Sequence, residues 1–183
     1  MKSKLTISIS AVLFAVICMA THCEKEPEDR LPPNHETGSG NFGCLIDGEP
    51  ILQYIRISRT SNNGWPGGDY NITEELFTLV VKTQPPEYHI NFFVTRPKFG
   101  TGTFVIDSVI FYPADTSIPY YYMAKNTAQI TFTKFSEEFS PATASGTFEF
   151  DADGYDKETH QHNPNQKIQV RKGRFDVCYY PRY

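Results

Sequence analysis

Residues 42–183 carry short runs in which apolar and polar residues alternate, and Gly, Pro, Asn and Asp interrupt these runs at close intervals. Alternation with a period of two is typical of β-strands that bury one face. No window in this region keeps the 3.6-residue period of an amphipathic helix. The pattern therefore predicts a single all-β domain over residues 42–183, with strands at 42–46, 51–58, 76–83, 88–95, 102–106, 109–112, 120–124, 129–135, 144–151, 167–172 and 174–179.

Residues with turn chemistry separate these strands. Asp47-Gly48 can adopt the positive φ angles of a hairpin turn, and the adjacent prolines at 85–86 cannot continue a strand. Lys172-Gly173 can close a tight hairpin between the last two strands. We therefore expect most neighbouring strands to pair antiparallel, with long irregular stretches at 62–68 and 153–165.

The alternation also predicts which side chains form the core, since every second residue of a strand faces the same way. We expect an antiparallel β-sandwich, and a lipocalin-like closed or partly open barrel is the alternative, because ten or eleven short strands suit either architecture. The predicted core side chains are Ile130, Phe132, Phe135, Phe148, Phe150, Ile168, Val170, Phe175 and Val177.

The amino-terminal 22 residues have the pattern of an export signal. Lys2 and Lys4 precede an apolar segment that runs from Leu5 to Ala20. This segment is shorter than the roughly 20 residues that a membrane-spanning helix needs. Cleavage is therefore expected rather than retention as a transmembrane helix.

Two cleavage sites compete. Cys23 follows the apolar run and precedes a polar stretch, which is the arrangement of a bacterial lipoprotein, although His22 stands where a small residue is usual. Lipidation of Cys23 would anchor the protein through several acyl chains, and more than one chain is needed for stable anchoring. The alternative is cleavage after Ala20, which would leave Thr21 as the new terminus and Cys23 as an ordinary thiol.

Residues 23–41 are charged or turn-forming, with one apolar residue after the cysteine, Leu31. They are expected to form a flexible acidic tether between membrane and domain. The whole chain has 17 Lys and Arg and 21 Asp and Glu, and removal of Lys2 and Lys4 with the signal lowers the formal net charge from −4 to −6. This charge gives no electrostatic indication of nucleic-acid binding, which needs a basic face, so we expect no nucleic-acid partner.

Two cysteines, Cys44 and Cys178, lie in the first and last predicted strands of the domain. In an oxidising compartment they would form a disulfide if those strands are neighbours with Cα atoms within about 7 Å. The alternative is two unpaired thiols buried as small apolar side chains.

Metal and catalytic motifs are weak. His160 and His162 lie near several carboxylates, and a His-x-His pair of this kind is a weak candidate for a divalent metal site with no third ligand placed. No nucleophile elbow, catalytic cysteine context or phosphate-binding glycine loop occurs, and no cofactor motif is present. We therefore expect no catalytic residues and no enzyme, with a metal-dependent hydrolase as the least favoured alternative.

Exposed aromatic residues are the stronger functional signal. Trp65 lies in a Gly/Pro-rich loop, and Tyr120, Tyr121 and Tyr122 follow one another in a predicted strand. Such rings can stack on the apolar faces of sugars. Their alternative role is structural, with alternate tyrosines packing inward and the others covering the sheet.

Several short motifs occur together at both ends of the exported chain: LPP at 31–33, TG at 37–38, NFGC at 41–44, DG at 47–48, SGTFEF at 145–150 and GRFDV at 173–177. Together they resemble a family of small Bacteroidota lipoproteins of unknown function. That resemblance implies export, lipidation and a β fold, and it supplies no catalytic residues. In the family a Trp tends to follow the opening turn, whereas Glu49-Pro50-Ile51-Leu52 stands here.

These features lead us to expect an outer-membrane lipoprotein, on the cell surface or the periplasmic face, that acts as a non-enzymatic binding or interaction module. Its expected contacts are the membrane, through the lipid anchor, and either an envelope protein or a glycan. A glycan-binding accessory lipoprotein is the more specific alternative, and it requires an exposed aromatic surface.

Overall fold

The computed structural model describes residues 26–33, 35–54, 67–71, 73–83, 87–136 and 142–182. The signal segment, Cys23 and Trp65 lie outside these ranges. Within them the chain forms a short 3-10 helix, Pro27–Arg30, and nine strands: β1 (Asn41–Ile46), β2 (Glu49–Tyr54), β3 (Gly67–Asn71), β4 (Leu76–Lys82), β5 (Tyr88–Thr95), β6 (Gly102–Pro113), β7 (Tyr120–Phe135), β8 (Ala142–Asp156) and β9 (His162–Arg182). In the described residues, no helix is long and apolar enough to cross a membrane.

All nine strands belong to one strongly curled sheet. Its order is β2-β1-β9-β3-β4-β5-β6-β7-β8, and β8 pairs back onto β9. Every pairing is antiparallel except the one between β3 and β9, which is parallel. The all-β, mainly antiparallel prediction is therefore confirmed, and the curled sheet fits a β-sandwich or a partly open barrel.

The concave side of the sheet is filled with aromatic side chains. The rings of Phe92 on β5 and Phe148 on β8 lie 4.9 Å apart, and those of Phe77 on β4 and Phe132 on β7 lie 5.3 Å apart. Because the two strands of each pair are not neighbours in the sheet, these contacts join opposite walls across the interior. The core side chains predicted from the alternation are all at most 6% exposed, so that prediction is confirmed.

Three pairs of predicted strands are single long strands. β6, β7 and β9 each continue where the sequence indicated a break, and the pairing register shifts at those places, as between Ile106 and Ser108. A bulge of this kind absorbs an extra residue without ending the pairing. The predicted hairpin turn at Lys172-Gly173 is wrong, because both residues lie inside β9, where Lys172 takes a φ of 55°.

The irregular stretch predicted at 153–165 is mostly strand. Gly154 pairs with Asn163 and Tyr155 with His162, so β8 and β9 form a long hairpin closed by a short turn. The carboxylate of Asp156 organises this turn by accepting hydrogen bonds from the backbone N–H groups of Glu158 and Thr159, at 3.0 and 2.7 Å. The residues of this hairpin end are mostly polar because they are exposed to solvent, and their composition therefore resembles that of a loop.

The segment before β1 differs from the expected flexible tether. Leu31 is 6% exposed, and Pro32 packs so closely on Gly43 of β1 that a Cβ at Gly43 would lie 2.5 Å from the proline ring. Thr37, Gly38 and Ser39 hydrogen-bond to Asp176 of β9. The packed domain therefore begins upstream of Phe42.

Candidate functional site

One row of outward-facing side chains crosses six neighbouring strands, β4 to β9. The register places Lys82 opposite His89 and His89 opposite Tyr112. It also places Tyr121 opposite Tyr155 and Tyr155 opposite His162, and ring stacking between Tyr112 and Tyr121 joins the two halves. We call this set the cross-strand row: Lys82, His89, Tyr112, Tyr121, Tyr155 and His162.

Strand alternation explains why these side chains face outward. Val81, Ile90 and Phe111 are fully buried on the concave side of β4, β5 and β6. Their sequence neighbours Lys82, His89 and Tyr112 must therefore point to the convex side. The row is thus a consequence of where the core residues lie and of how the strands are registered.

The tyrosine rings of the row stack face to face. The centroids of Tyr112 and Tyr121 are 5.3 Å apart at an interplanar angle of 25°, and those of Tyr121 and Tyr155 are 5.5 Å apart at 21°. Partial burial, together with the neighbouring hydroxyls of Tyr112 and Tyr155, raises the pKa of Tyr121. Both faces of the middle ring are therefore covered, and the row presents ring edges along most of its length.

Tyr112 lies at one end of the stack, and Tyr155, at the other end, has the ring of His162 beside it at 5.3 Å. One face of the Tyr112 ring lies on Tyr121, and on the β5 side no other ring of the described residues stacks on it. Tyr112 is 39% exposed, which places it among the three most exposed large apolar or aromatic side chains of the described chain. Within the described part of the chain, the β5 side of this ring therefore has no stacked partner and is available to a ligand beside His89.

A groove of about 460 Å³ opens beside this face of Tyr112. It is lined by Val80, Lys82, His89, Asn91 and Tyr112, together with Val81. Val80 lies opposite Gly67 of β3, a residue without a side chain. The volume falls within the roughly 300–1,000 Å³ of small-ligand sites.

Charged groups at the edge of this groove are paired with one another. The Nζ of Lys82 lies 2.6 Å from the carboxylate of Glu87, and the Nε2 of His89 lies 3.5 Å from the same carboxylate. The hydrogen bond from Lys82 is the main cause that lowers the pKa of Glu87, and His89 adds to it. The groove therefore combines an aromatic face, an amide and a largely neutralised ion pair.

A second groove, of about 400 Å³, lies between the 3-10 helix and the outer face of β7, β8 and β9. Its cations, Lys172 and Arg174, both lie near the carboxylate of Glu28, at 3.7 and 3.4 Å. The one aromatic residue in its lining, Phe148, is 2% exposed. This groove offers no free aromatic face, so the groove beside Tyr112 is the stronger ligand candidate.

The two histidines predicted as weak metal candidates lie at the other end of the row. His160 approaches the ring of Tyr121 edge-on at 5.9 Å, whereas the ring of His162 lies 5.3 Å from Tyr155. The Nε2 of His162 lies 3.6 Å from Asp153, which is also paired with Lys167 at 3.1 Å. Within the described ranges no group of three or more His, Cys, Asp or Glu side chains is arranged to hold a metal ion.

The three tyrosines singled out from the sequence face different sides of the sheet. Tyr121 belongs to the cross-strand row, whereas Tyr122 packs against the core and Tyr120, two residues away, shares its side of the strand. Sequence reasoning missed Tyr112 and Tyr155, because their place beside Tyr121 depends on strand register. The one sequence signal available was that both are tyrosines in the outward phase of an alternating strand.

The two cysteines face opposite sides of the sheet and are both free. Cys44 is fully buried in the core, and burial raises the pKa of its thiol to about 12. Cys178 lies on the convex side, where its Sγ is 3.3 Å from the carbonyl oxygen of Gly38. Burial, with the nearby Asp176 carboxylate, also raises the pKa of Cys178. The disulfide considered from the sequence is therefore not formed.

Asp176 is a buried polar residue that the sequence pattern did not single out. Its carboxylate accepts hydrogen bonds from backbone and side-chain groups of Thr37, Gly38 and Ser39 and from the hydroxyl of Ser145. Burial acts to raise the pKa of this carboxyl group, but the hydrogen bonds outweigh it and lower the pKa to about 2. The residue fastens the segment before β1 to β9.

Comparison with known proteins adds nothing to this geometry. No protein-family model, curated protein or solved structure matches the chain.

Proposed function

We propose that this protein is a non-enzymatic binding module of the bacterial cell envelope and that the cross-strand row is its ligand-binding surface. The observation that carries the proposal is the stack of Tyr112, Tyr121 and Tyr155 on the convex side of the sheet, ending in an exposed ring face beside a groove. Aromatic side chains with a polar tip are enriched at binding surfaces because they bury large areas and still tolerate water.

Sheet stability alone accounts for only part of this arrangement. Cross-strand aromatic pairs stabilise a sheet by roughly 0.2–1 kcal/mol each. Stacking between neighbouring rings, as between Tyr121 and Tyr155, is enough to stabilise the sheet in this way. It does not require Tyr112 to leave a ring face open beside a groove lined by His89 and Asn91. The open end of the stack therefore supports a binding role.

Export and attachment are part of the same proposal. The signal at 1–22 and the polar stretch after Cys23 support an outer-membrane lipoprotein that displays the domain at the cell surface or on the periplasmic face. A hydrolase is not favoured, because it would need His160 and His162 to converge with carboxylates, and the two rings contact different tyrosines.

Site-specific photo-cross-linking of the full-length protein in its native cells tests the proposal. A benzophenone amino acid replaces Tyr112 in one variant and Phe99 in the other, because the two residues are almost equally exposed, at 39% and 38%. Phe99 lies three residues before β6 begins, whereas Tyr112 lies next to its last residue. Benzophenone inserts into C–H bonds, so it captures proteins and glycans alike. We expect discrete adducts at position 112 that do not form from position 99.

Two results would contradict the proposal. One is the absence of adducts at position 112 in cells that display the protein at normal levels. The other is an identical set of adducts at positions 112 and 99, which would mean that position 112 makes no contacts specific to the cross-strand row.

A further inference from the structure

We infer that the groove beside Tyr112 binds one uncharged pyranose ring of a glycan, with the sugar stacked on the face of Tyr112 that adjoins the groove. This inference rests on the proposed function and names the ligand of the same surface. The pyranose ring is the chemical unit whose flat C–H face and ring of hydroxyl groups match an aromatic face bordered by polar side chains.

The first argument is the shape of the aromatic surface. Since Tyr112 stacks on Tyr121 on one side, its ring is held in place, and its other face adjoins the groove. A ring fixed in this way loses little conformational freedom on binding, which lowers the cost of association. Tyr121 lies between two tyrosine rings, and Tyr155 lies between Tyr121 and His162, so Tyr112 is the ring of this stack with a face next to a groove in the described part of the chain.

The second argument is the set of hydrogen-bonding groups around that face. The amide of Asn91 supplies a donor and an acceptor, and the imidazole of His89 supplies another polar nitrogen. The carboxylate of Glu87, beside Lys82 and His89, adds an acceptor at the edge of the groove. Sugar hydroxyls donate and accept at adjacent carbons, so a mixed set of donors and acceptors suits them better than it suits an apolar ligand.

The third argument concerns charge. Lys82 already lies 2.6 Å from Glu87, and His89 faces the same carboxylate at 3.5 Å. An anionic sugar would compete with Glu87 for Lys82 and would face a carboxylate left without its partner. The groove therefore favours a neutral sugar over an acidic one.

The fourth argument is size. The groove holds about 460 Å³ and is bordered by Val80 opposite Gly67 on one side and by the tyrosine stack on the other. This space accommodates one sugar ring with its water, whereas further sugars of a chain would lie along the ring edges of Tyr121 and Tyr155.

The test measures binding of the full-length protein, kept in a detergent without a sugar headgroup, to neutral oligosaccharides built from glucose, galactose, mannose or xylose. Oligosaccharides of glucuronic or galacturonic acid are the acidic comparison. Isothermal titration calorimetry is run on the wild type, on Tyr112→Phe and Tyr112→Ala, and on Asn91→Ala. Phe99→Ala is the matched control, since Phe99 has the same exposure as Tyr112 and lies outside the groove.

We expect at least one of these oligosaccharides to bind the wild type. Tyr112→Phe keeps the ring face and should change affinity by less than about threefold, whereas Tyr112→Ala removes it and should weaken binding by about tenfold or more. Asn91→Ala should also weaken binding, and Phe99→Ala should not. Thermal unfolding of each variant shows whether a loss of binding reflects a loss of folding.

Three results would overturn the inference: no binding of any neutral oligosaccharide to the wild type, equal affinities of the wild type and a folded Tyr112→Ala, or stronger binding of acidic than of neutral sugars. Its failure is distinguishable from failure of the proposed function. Adducts specific to position 112 with a protein partner, and no binding of sugars, would leave the cross-strand row a binding surface and exclude a sugar as its ligand.

Discussion

Six hydrogen bonds converge on the carboxylate of Asp176, a residue that is 1% exposed. Three come from backbone N–H groups of Thr37, Gly38 and Ser39, and three come from hydroxyl groups. A buried carboxylate is costly unless its lone pairs are satisfied, and this set of donors satisfies them without a cation. Asp176 therefore ties residues 37–39 of the segment before β1 to β9.

Asp176→Asn tests this role. An amide presents an N–H₂ group to donors that need an acceptor, so we expect the free energy of unfolding to fall by about 2–3 kcal/mol. Urea unfolding followed by circular dichroism measures the change. Asp29→Asn is the control, because Asp29 is an exposed residue of the 3-10 helix, and it should change the free energy of unfolding little.

The same residue predicts a pH dependence. The pKa of Asp176 is about 2 in the folded protein, below its ordinary value of 3.8, so the folded chain binds this proton less tightly than the unfolded chain does. The stability that Asp176 provides is therefore complete above about pH 4 and declines as the pH falls toward 2. The difference between wild type and Asp176→Asn should shrink over this range, and a difference that stays constant between pH 7 and pH 2 would contradict the assignment.

β9 shows how one element joins the whole sheet. It pairs with β8 along one edge, and its other edge takes β1 and then β3. β9 continues past residues 171–172 because a bulge there, opposite Phe148 and Phe150, absorbs extra residues without ending the pairing with β8. In this bulge Lys172 has a φ of 55°, and Gly173 follows it. A Cβ at Gly173 would lie 2.3 Å from the ring of Phe148, so a residue without a side chain is required there.

Gly173→Ala should destabilise the protein by about 1–3 kcal/mol, because the added methyl group forces the Phe148 ring or the strand to move. The midpoint of thermal unfolding reports the change. In a Phe148→Ala background the same substitution should cost less, since the ring it would meet is gone. Equal costs in both backgrounds would show that close packing against Phe148 is not the reason for the glycine.

The cross-strand row and the attachment of the amino-terminal segment lie far apart along the molecule. His162 begins β9, and Asp176 is 14 residues further along the same strand, which is roughly 45 Å of extended chain. Glu28, five residues after Cys23, contacts Lys172 and Arg174 and so also lies away from the row. If Cys23 carries the lipid, we expect the row to lie farther from the membrane than Glu28, which is five residues from Cys23 along the chain.

This orientation is testable by energy transfer. The full-length protein is placed in liposomes that carry an acceptor dye on the lipid headgroups, and a donor dye is attached through a non-natural amino acid at position 28 or at position 112. We expect stronger transfer from position 28. Stronger or equal transfer from position 112 would contradict the orientation, and mass spectrometry of the mature terminus checks the anchor itself, since an unmodified chain that begins at Thr21 would exclude it.

Alternation of apolar and polar residues sufficed to predict the all-β class and the core. Phe132 and Phe148, for example, are buried because every second residue of a strand faces one side, and this rule needs no knowledge of which strands pair. Local chemistry also placed the turn at Asp47-Gly48, where φ is 51° and 87°. Such features depend on a few neighbouring residues, so they are visible in the sequence.

Strand register decided the rest. Lys172-Gly173 has the composition of a turn, yet it is a bulge because β8 continues to pair on either side of it. Tyr112, Tyr121 and Tyr155 are separated along the chain, and they stack only because the strands align them. Asp176 meets residues 37–39 at a sequence distance of about 138 residues, and no local pattern encodes that contact. Periodicity tells which side a residue faces, whereas long-range pairing decides what it faces there.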